Sequence, residues 1–249
     1  MPMHSKEPDI LIHPQIGRRD QHLPETALFV VNPAEARIAE HEFSRYDVSK
    51  RFLHNSSLLV DNEERFCLAG PALGAPAAGL VMEKLVVLGV KKICLFSCCG
   101  AIDPAYTIGD IILANSGVSG EGVSHYYGND KIVYTSRAAT DELRSLLDEQ
   151  RINYKEGVIW STDAPYRESR SELARLHDKY KVVGVDMEFT ALCSIAVFRD
   201  VSITAIFVVS DELWGPVWKP GFAQKAYKKQ CRLVISALIR AGLKKELRD

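Results

Sequence analysis

Short apolar runs alternate with stretches of helical periodicity along nearly the whole chain of 249 residues. Apolar runs of about four to eight residues, bounded by turn residues, are typical of buried strands. Such runs lie at residues 27–31, 66–69, 92–96, 108–114, 157–161, 182–185 and 203–209. Helical patterns lie at residues 34–43, from residue 76 to 88, and at 141–150, 187–198 and 222–241. This alternation predicts a single α/β domain with a mixed central β-sheet flanked by helices.

The composition limits the partners of this chain. Its 31 basic and 32 acidic residues nearly balance, so no global field draws it to nucleic acid or to a membrane surface. Residues 1–12 lack the apolar segment of a signal peptide. The longest apolar run, near residues 201–209, is far shorter than the roughly 18 residues that a membrane span needs. We therefore expect a cytoplasmic protein.

The cysteines carry no sign of a metal site. They lie mostly in apolar segments, at positions 67, 94, 98, 99, 193 and 231. Their spacing matches no zinc pattern, and free thiols in buried strands are common in a reducing compartment. We expect core thiols, with no metal and no cofactor.

Two acidic residues follow apolar segments at places where ligands often bind. Glu188 follows Met187 at the start of a helical pattern, and Asp211 follows Ser210 at the end of the run at 203–209. Open α/β sheets bind ligands at the carboxyl ends of their strands. An ionised Glu188 would accept hydrogen bonds from hydroxyl groups, or would only favour the helix N-terminus through its dipole. A partly desolvated Asp211 would share or donate a proton, or would only cap the next segment.

A series of short motifs covers the chain from about His13 to the last helical pattern. It consists of Gly74-Ala75-Pro76, Cys99-Gly100-Ala101-Ile102-Asp103-Pro104, Ile108-Gly109-Asp110-Ile111-Ile112, Glu121-Gly122-Val123-Ser124-His125-Tyr126-Tyr127, Ser161-Thr162-Asp163-Ala164-Pro165-Tyr166, Met187-Glu188 and Ser210-Asp211. In type and order these motifs resemble the nucleoside phosphorylase superfamily. The resemblance implies the α/β fold of that family and cleavage of the N-glycosidic bond of a nucleoside.

The resemblance also implies roles for individual residues. Met187 and Glu188 would hold the ribose, and Asp211 would protonate the departing purine. Trp218, a few residues on, would belong to a lid or to a loop anchored on the body of the domain. The base pocket would be lined by Ser210, Tyr166 and Pro165, the last standing where the family usually has an aromatic residue.

Substrate and assembly follow from the same resemblance. The Gln and Arg of uridine-specific members fall on Ser169 and Ser171 here, which favours purines, although Arg170 lies between them. In the family, a histidine placed like His13 reaches a neighbour's site and the 5′-hydroxyl of its sugar. This implies a homodimer or a hexamer built as a trimer of dimers. Residues 1–22 would form an extension at the subunit interface, and residues 23–249 the nucleoside phosphorylase-like domain.

The phosphate site of the family is altered in this sequence. Its Gly-Asp-Pro-x-Arg becomes a segment with Val31 and Glu35 in place of the glycine and arginine, and Leu95 and Cys98 replace a second arginine and a hydroxyl. A carboxylate in place of a guanidinium turns attraction into repulsion, about 4 kcal/mol for a unit-charge contact at about 4 Å and an effective dielectric near 20. Cys98 would lie beside the anion, and the compensating cations would be Arg37, on the same helix, and Arg51, lent by a neighbour.

Three hypotheses about function remain. The leading one is phosphorolysis of a purine nucleoside to base and ribose 1-phosphate, with inorganic phosphate as co-substrate. The alternative is a hydrolytic nucleosidase, because Glu35 lies at or beside the glutamate with which hydrolytic members activate water. Glu35 would otherwise be an ordinary exposed acid in the first turn of a helix. The third hypothesis is a non-catalytic nucleoside-binding or structural paralogue.

Overall fold

The computed structural model describes residues 9–244, which form one α/β unit around a mixed sheet. The described residues contain eleven strands. They are β1 (Thr26–Val30), β2 (Val48–Leu53), β3 (Ser56–Asp61), β4 (Cys67–Gly70), β5 (Lys92–Ala101), β6 (Ile111–Gly120), β7 (Ile132–Tyr134), β8 (Lys155–Thr162), β9 (Val182–Asp186), β10 (Ser202–Glu212) and β11 (Lys219–Pro220). The helices are α1 (Pro33–Phe43), α2 (Ala75–Val87), α3 (Arg137–Glu149), α4 (Arg170–Tyr180), α5 (Phe189–Arg199) and α6 (Lys225–Leu243). The predicted fold class is confirmed.

Strands β5 and β10 organise the sheet. They run parallel to each other, and β10 also pairs antiparallel with β6. Because β6 pairs with β8, β8 with β9, and β9 with β5, five strands close into a ring. Strands β1, β4, β3 and β2 extend the sheet outward from β5. The carboxyl ends of β5, β9 and β10 therefore meet at one side of the ring.

Alternation along the central strands divides the core into two layers. On β10, Phe207 and Val209 contribute to one layer, and Ile206 and Val208 contribute to the other. The first layer holds residues of α2 and α5, and the second holds residues of α1, α3 and α6. Residues 189–196 of α5 are all buried, which explains why this helix lacks a polar face. Helices thus cover both faces of the sheet.

The sequence located most elements but misplaced several boundaries. The strand predicted at 108–114 begins only at Ile111, because Gly109 takes a φ of 93° and Asp110 accepts a hydrogen bond from the Thr107 N–H in a turn. The helix predicted from residue 187 begins at Phe189. The run predicted at 203–209 continues as β10 to Glu212, so Ser210 and Asp211 lie within the strand. Among the described helices, none is both long and apolar enough to cross a membrane.

A buried ion pair joins the two helices nearest to the cavity described below. The guanidinium of Arg199, at the end of α5, donates to both oxygens of Glu83 on α2 at 2.8 and 2.9 Å. Their side chains are only 12% and 9% exposed. The segment before α2 and the segment before α5 both reach the cavity, so this pair fixes their relative position.

We expect Arg199→Met to lower the free energy of unfolding by about 3 kcal/mol, because it leaves the carboxylate of Glu83 buried without its partner. Urea denaturation measures this change. The matched control is Arg45→Met, which breaks the exposed pair with Glu42 and should cost about 0–1 kcal/mol. Equal losses in both variants would show that the buried pair does not hold the helices together.

Candidate active site

A cavity of about 620 Å³ opens at the carboxyl ends of β5, β9 and β10. Ligands bind at the carboxyl ends of the strands in α/β sheets. The cavity is lined by Asn32, Leu73, Cys98, Cys99, Gly100, Pro165, Tyr166, Glu168, Val185, Asp186, Met187, Glu188, Ser210, Asp211, Leu213, Trp218 and Phe222. The structure thus brings together Met187 and Glu188 of the predicted ribose site, the predicted base residues, Asp211 and Cys98.

Glu188 is held at the entrance to α5 rather than within it. Its backbone is non-helical (φ −137°, ψ −33°), and its side chain is 1% exposed. The N–H of Gly74, just before α2, donates to Oε1 of Glu188 at 2.6 Å. Burial raises the pKa of Glu188, and the neighbouring charge of Asp186 raises it further. A buried carboxyl in the cavity lining is suited to accept hydrogen bonds from a ligand.

Asp186 sets the position of Glu188, and sequence analysis did not select it. Its Oδ1 accepts a hydrogen bond from the Ser161 hydroxyl at 2.5 Å. Its Oδ2 accepts from the N–H groups of Phe189 at 2.8 Å and Glu188 at 3.2 Å. These bonds satisfy the first N–H groups of α5. An aspartate two residues ahead of Glu188, at the end of an apolar run, was the signal available in the sequence.

Asp211 sits where the ladder between β5 and β10 is interrupted. The register shifts between Val209 and Asp211, and a bulge of this kind re-aims a side chain. The Ser210 hydroxyl donates to Oδ1 of Asp211 at 2.6 Å, and the indole N–H of Trp218 donates to Oδ2 at 2.7 Å. Gly100 leaves room for this carboxylate, since a Cβ there would lie 3.0 Å from Oδ2. Asp211 is 9% exposed, so the desolvation expected from the sequence is confirmed.

Trp218 and Tyr166 are aromatic residues of the cavity lining. Trp218 is 58% exposed yet bonded to Asp211 through its indole, which favours the anchored loop over a free lid. Tyr166 is 98% exposed, and it lies with Pro165 in a short turn at the rim. Their roles in base binding stay predictions, because a neighbouring subunit or a ligand would change this exposure.

Glu168 is a second acidic residue of the cavity, after Asp186, that sequence analysis did not select. It is half-buried in the segment between the turn of Tyr166 and helix α4. Burial raises its pKa to about 7, with a further contribution from the charge of Asp211. Within residues 9–244, its carboxyl group makes no hydrogen bond or ion pair. No pattern in the sequence pointed to it, because a single acidic residue in a polar loop is common.

Protein groups occupy the place predicted for phosphate. Oδ1 of Asn32 accepts hydrogen bonds from the Ser97 hydroxyl and from the Cys98 N–H, both at 3.0 Å. Glu35 is only 5% exposed and accepts a 2.8 Å hydrogen bond from the Tyr227 hydroxyl. The interpretation of Glu35 as an ordinary exposed acid is therefore wrong. Burial raises the pKa of the Cys98 thiol, and the charge of Glu35 adds to this shift, although Glu35 is not among the residues that line the cavity.

The predicted cations do not line the cavity of this chain. Arg37 is exposed on α1, Arg51 is half-buried on β2, and His13 is half-buried ahead of β1. None of the lining residues in the described part of the chain is Lys, Arg or His, whereas four are Asp or Glu. Arg37 was expected to supply the missing cation of the phosphate site from α1, but it does not line the cavity. Arg51 and His13 were predicted to act on a neighbour's site, so their roles stay predictions.

The model of the phosphorylase superfamily matches residues 25–240. This chain belongs to that superfamily. A similar protein is the DeoD-type purine nucleoside phosphorylase of Oceanobacillus iheyensis, 26% identical over 154 residues, which are 60% of this chain and 65% of that one. The alignment thus spans slightly less than two thirds of that relative.

Solved structures of the superfamily share the fold. The purine nucleoside phosphorylase of Toxoplasma gondii, in complex with immucillin-H, has a TM-score of 0.79 at 16% identity, covering 94% of this chain and 95% of that chain. The futalosine hydrolase of Helicobacter pylori has a TM-score of 0.71 at 17% identity, covering 90% and 99%. At these identities the likeness shows the fold alone.

We expect Glu188→Gln to remove a pH-dependent loss of stability. In the unfolded chain Glu188 ionises near its ordinary pKa of 4.5, whereas the folded chain keeps the proton to a higher pH. The folded state then binds more protons, so the free energy of unfolding falls as pH rises from about 4.5 toward the raised folded pKa. Urea denaturation of both proteins at several pH values measures the slopes.

The control for this experiment is Glu172→Gln on α4. The hydrogen bond from Arg175 lowers the pKa of Glu172. The free energy of unfolding of Glu172→Gln should therefore still fall as pH rises from about 4.5 toward the raised pKa of Glu188. Identical pH profiles for the wild-type chain and Glu188→Gln would contradict the assignment of a raised pKa to Glu188.

Proposed function

We propose that this chain cleaves the N-glycosidic bond of a purine nucleoside. The observation that carries the proposal is that Glu188 and Asp211, both buried, face one cavity from the ends of β9 and β10. Cleavage builds positive charge on the sugar and negative charge on the departing base, so a carboxylate at one end and a polar acidic group at the other serve the transition state. Membership of the superfamily supports this choice over a purely structural role.

Each end of the cavity has groups suited to one part of the substrate. Glu188 would accept hydrogen bonds from the ribose hydroxyls, while the N–H of Gly74 holds its carboxyl group in place. Met187 would pack on the sugar with a polarisable apolar surface. The base would lie toward Asp211 and Ser210, with Tyr166 at the rim.

We propose water as the nucleophile. A phosphate dianion needs cationic side chains and free backbone N–H groups. Within residues 9–244 the lining supplies four carboxyl groups and no cation, and the N–H of Cys98 is bonded to Asn32. Water carries no charge and meets no such repulsion.

Phosphorolysis is the second candidate. A similar protein in Oceanobacillus iheyensis is a purine nucleoside phosphorylase, and a neighbour's Arg51 would supply the missing cation. The assembly proposed for this is a homodimer or a hexamer of three dimers. Exposed apolar side chains before β1 support a subunit contact there, with Leu11 96% and Ile12 88% exposed.

Product chromatography tests the function and the nucleophile together. The purified chain is incubated with inosine, guanosine, adenosine and uridine, with and without inorganic phosphate. We expect purine base and free ribose at the same rate in both conditions. Formation of base and ribose 1-phosphate only in the presence of phosphate would show that phosphate, and not water, is the nucleophile. No product from any nucleoside would leave the non-catalytic paralogue as the explanation.

We expect Glu35→Gln to lower kcat at least about 100-fold with little change in KM, because the group that accepts the proton of the attacking water is lost. Steady-state kinetics with the best nucleoside measures this. The matched control is Glu40→Gln, which changes the same charge on the outer part of α1 and should leave kcat unchanged. A stability loss without a kcat change would make Glu35 only the buried partner of Tyr227.

A further inference from the structure

The proton that the departing base requires carries an inference that rests on the function proposed above. When the bond between C1′ of the sugar and the base nitrogen breaks, its electron pair stays on the base. Protonation of a ring nitrogen then makes the base a neutral leaving group. The resemblance to the superfamily implies Asp211 as the donor of this proton. Because proton transfer depends on geometry, the groups that orient the carboxyl group of Asp211 affect the rate.

Trp218 makes the less adjustable of the two hydrogen bonds that Asp211 receives from side chains. The indole N–H donates to Oδ2 at 2.7 Å, and the Ser210 hydroxyl donates to Oδ1 at 2.6 Å. The hydroxyl can instead turn to the Cys99 carbonyl at 3.1 Å, whereas an indole N–H lies in the ring plane and only donates. Each carboxyl oxygen keeps a second lone pair, so Asp211 can still carry a proton. The orientation of this carboxyl group therefore depends mainly on Trp218.

The segment that carries Trp218 is anchored without its indole. We call residues 213–222 the strap. The N–H of its first residue donates to the Ala101 carbonyl, and the Gly221 N–H donates to the Ser210 carbonyl, both at 2.8 Å. Gly221 is tightly enclosed, since a Cβ there would lie 2.6 Å from the Ser210 carbonyl oxygen. In addition, β11 pairs with the end of β10, so the backbone fixes the strap on both sides of Trp218.

Side-chain contacts add to this anchoring. Nζ of Lys219 lies 3.0 Å from Oε2 of Glu212, a buried residue at the end of β10. Arg170, the first residue of α4, donates a hydrogen bond to the carbonyl of Pro216. Removal of the indole N–H therefore leaves the strap with contacts before and after Trp218.

The ring of Trp218 is more exposed than an anchor requires. Trp218 is 58% exposed, whereas its N–H reaches the carboxyl group of Asp211, a residue that is only 9% exposed. A tryptophan that only anchors a loop gains most by burying its large ring. Trp218 also lines the cavity together with Asp211. Its placement suits the orientation of Asp211 better than the anchoring of the strap.

We propose that Trp218 is a positioning residue for proton transfer, and that its indole N–H fixes the carboxyl group of Asp211 for donation to the departing base. After the transfer Asp211 is an anion, and an N–H donor favours the anion over the protonated form. The hydrogen bond therefore strengthens as the transition state is reached. Interactions that strengthen in the transition state act on kcat rather than on KM.

The step balances in atoms and charge. The glycosidic bond breaks, its electron pair moves to the base, and the carboxyl proton of Asp211 moves to a ring nitrogen of the base. Water forms the new bond to C1′ and gives one proton to Glu35. Exchange with solvent then removes this proton from Glu35 and returns one to Asp211. Trp218 keeps its N–H throughout.

Trp218→Phe tests the proposal, because it removes the N–H and keeps an aromatic ring. We expect kcat for guanosine to fall by about 10- to 100-fold, the loss that corresponds to one hydrogen bond to a charged group. KM should stay within a few-fold. In 7-methylguanosine the imidazole ring already carries a positive charge, so the base departs without further protonation. The same variant should cleave 7-methylguanosine within a few-fold of the wild-type rate.

The matched control is Trp214→Phe. Trp214 belongs to the same strap and is partly exposed, but it does not line the cavity. Its indole makes no hydrogen bond within residues 9–244. This variant should keep kcat for both nucleosides. Circular dichroism and thermal unfolding of both variants check that the fold is retained.

A double variant tests whether Trp218 acts through Asp211. Asp211→Asn alone removes the proton that Trp218 is proposed to position. Adding Trp218→Phe to Asp211→Asn should therefore lower kcat for guanosine by no more than about twofold further, because the two residues serve one step. Independent roles would instead multiply the two losses.

The possible results separate the assignment from the proposed function. Full guanosine activity in Trp218→Phe would overturn the assignment and leave the proposed function intact. An equal loss on both nucleosides, or losses that multiply in the double variant, would also overturn it, because Trp218 would then act on the fold or on ligand binding. A wild-type chain that cleaves neither nucleoside would overturn the proposed function and the assignment together.

Discussion

The carboxylate of Asp186 is the contact on which the geometry of the cavity depends. It accepts hydrogen bonds from Ser161 on β8 and from the N–H groups of Glu188 and Phe189. The Ser161 hydroxyl accepts in turn from the N–H of Thr190. Because these bonds tie two strand ends to the first turn of α5, the two residues before that helix cannot continue it. Met187 and Glu188 therefore face the cavity.

The carboxyl groups of the cavity differ in their partners more than in their burial. Glu188 receives backbone donors from Gly74 and Met187, Asp211 receives two side-chain donors, and Glu168 receives none from the described residues. Burial raises the pKa of both Glu188 and Glu168, although their partners differ. Because the described lining holds four carboxyl groups and no cationic side chain, an anionic co-substrate would need a cation from a neighbouring subunit.

The fold was largely predictable because the central strands are apolar throughout. The apolar run that forms β10 is long and clear, whereas β2 is an edge strand in which half of the side chains are polar and only Leu53 is buried. Helix α4 buries only Leu173 and Leu176, too few to produce a clear periodic pattern. Both were absent from the sequence prediction for that reason. Element ends were misplaced where side chains, such as Asp186 and Asp110, capture backbone N–H groups.

The sequence by itself determined the α/β class, the order of the central strands and helices, and the presence of Glu188 and Asp211 at strand ends, because these follow from local periodicity and family motifs. Only the tertiary structure decided which carboxyl groups share one cavity and which donors each receives. It buried Glu35 against Tyr227, a residue far along the chain, and placed Glu168 near Asp211. Proton affinity depends on such distant neighbours and on desolvation, and neither is written in local sequence.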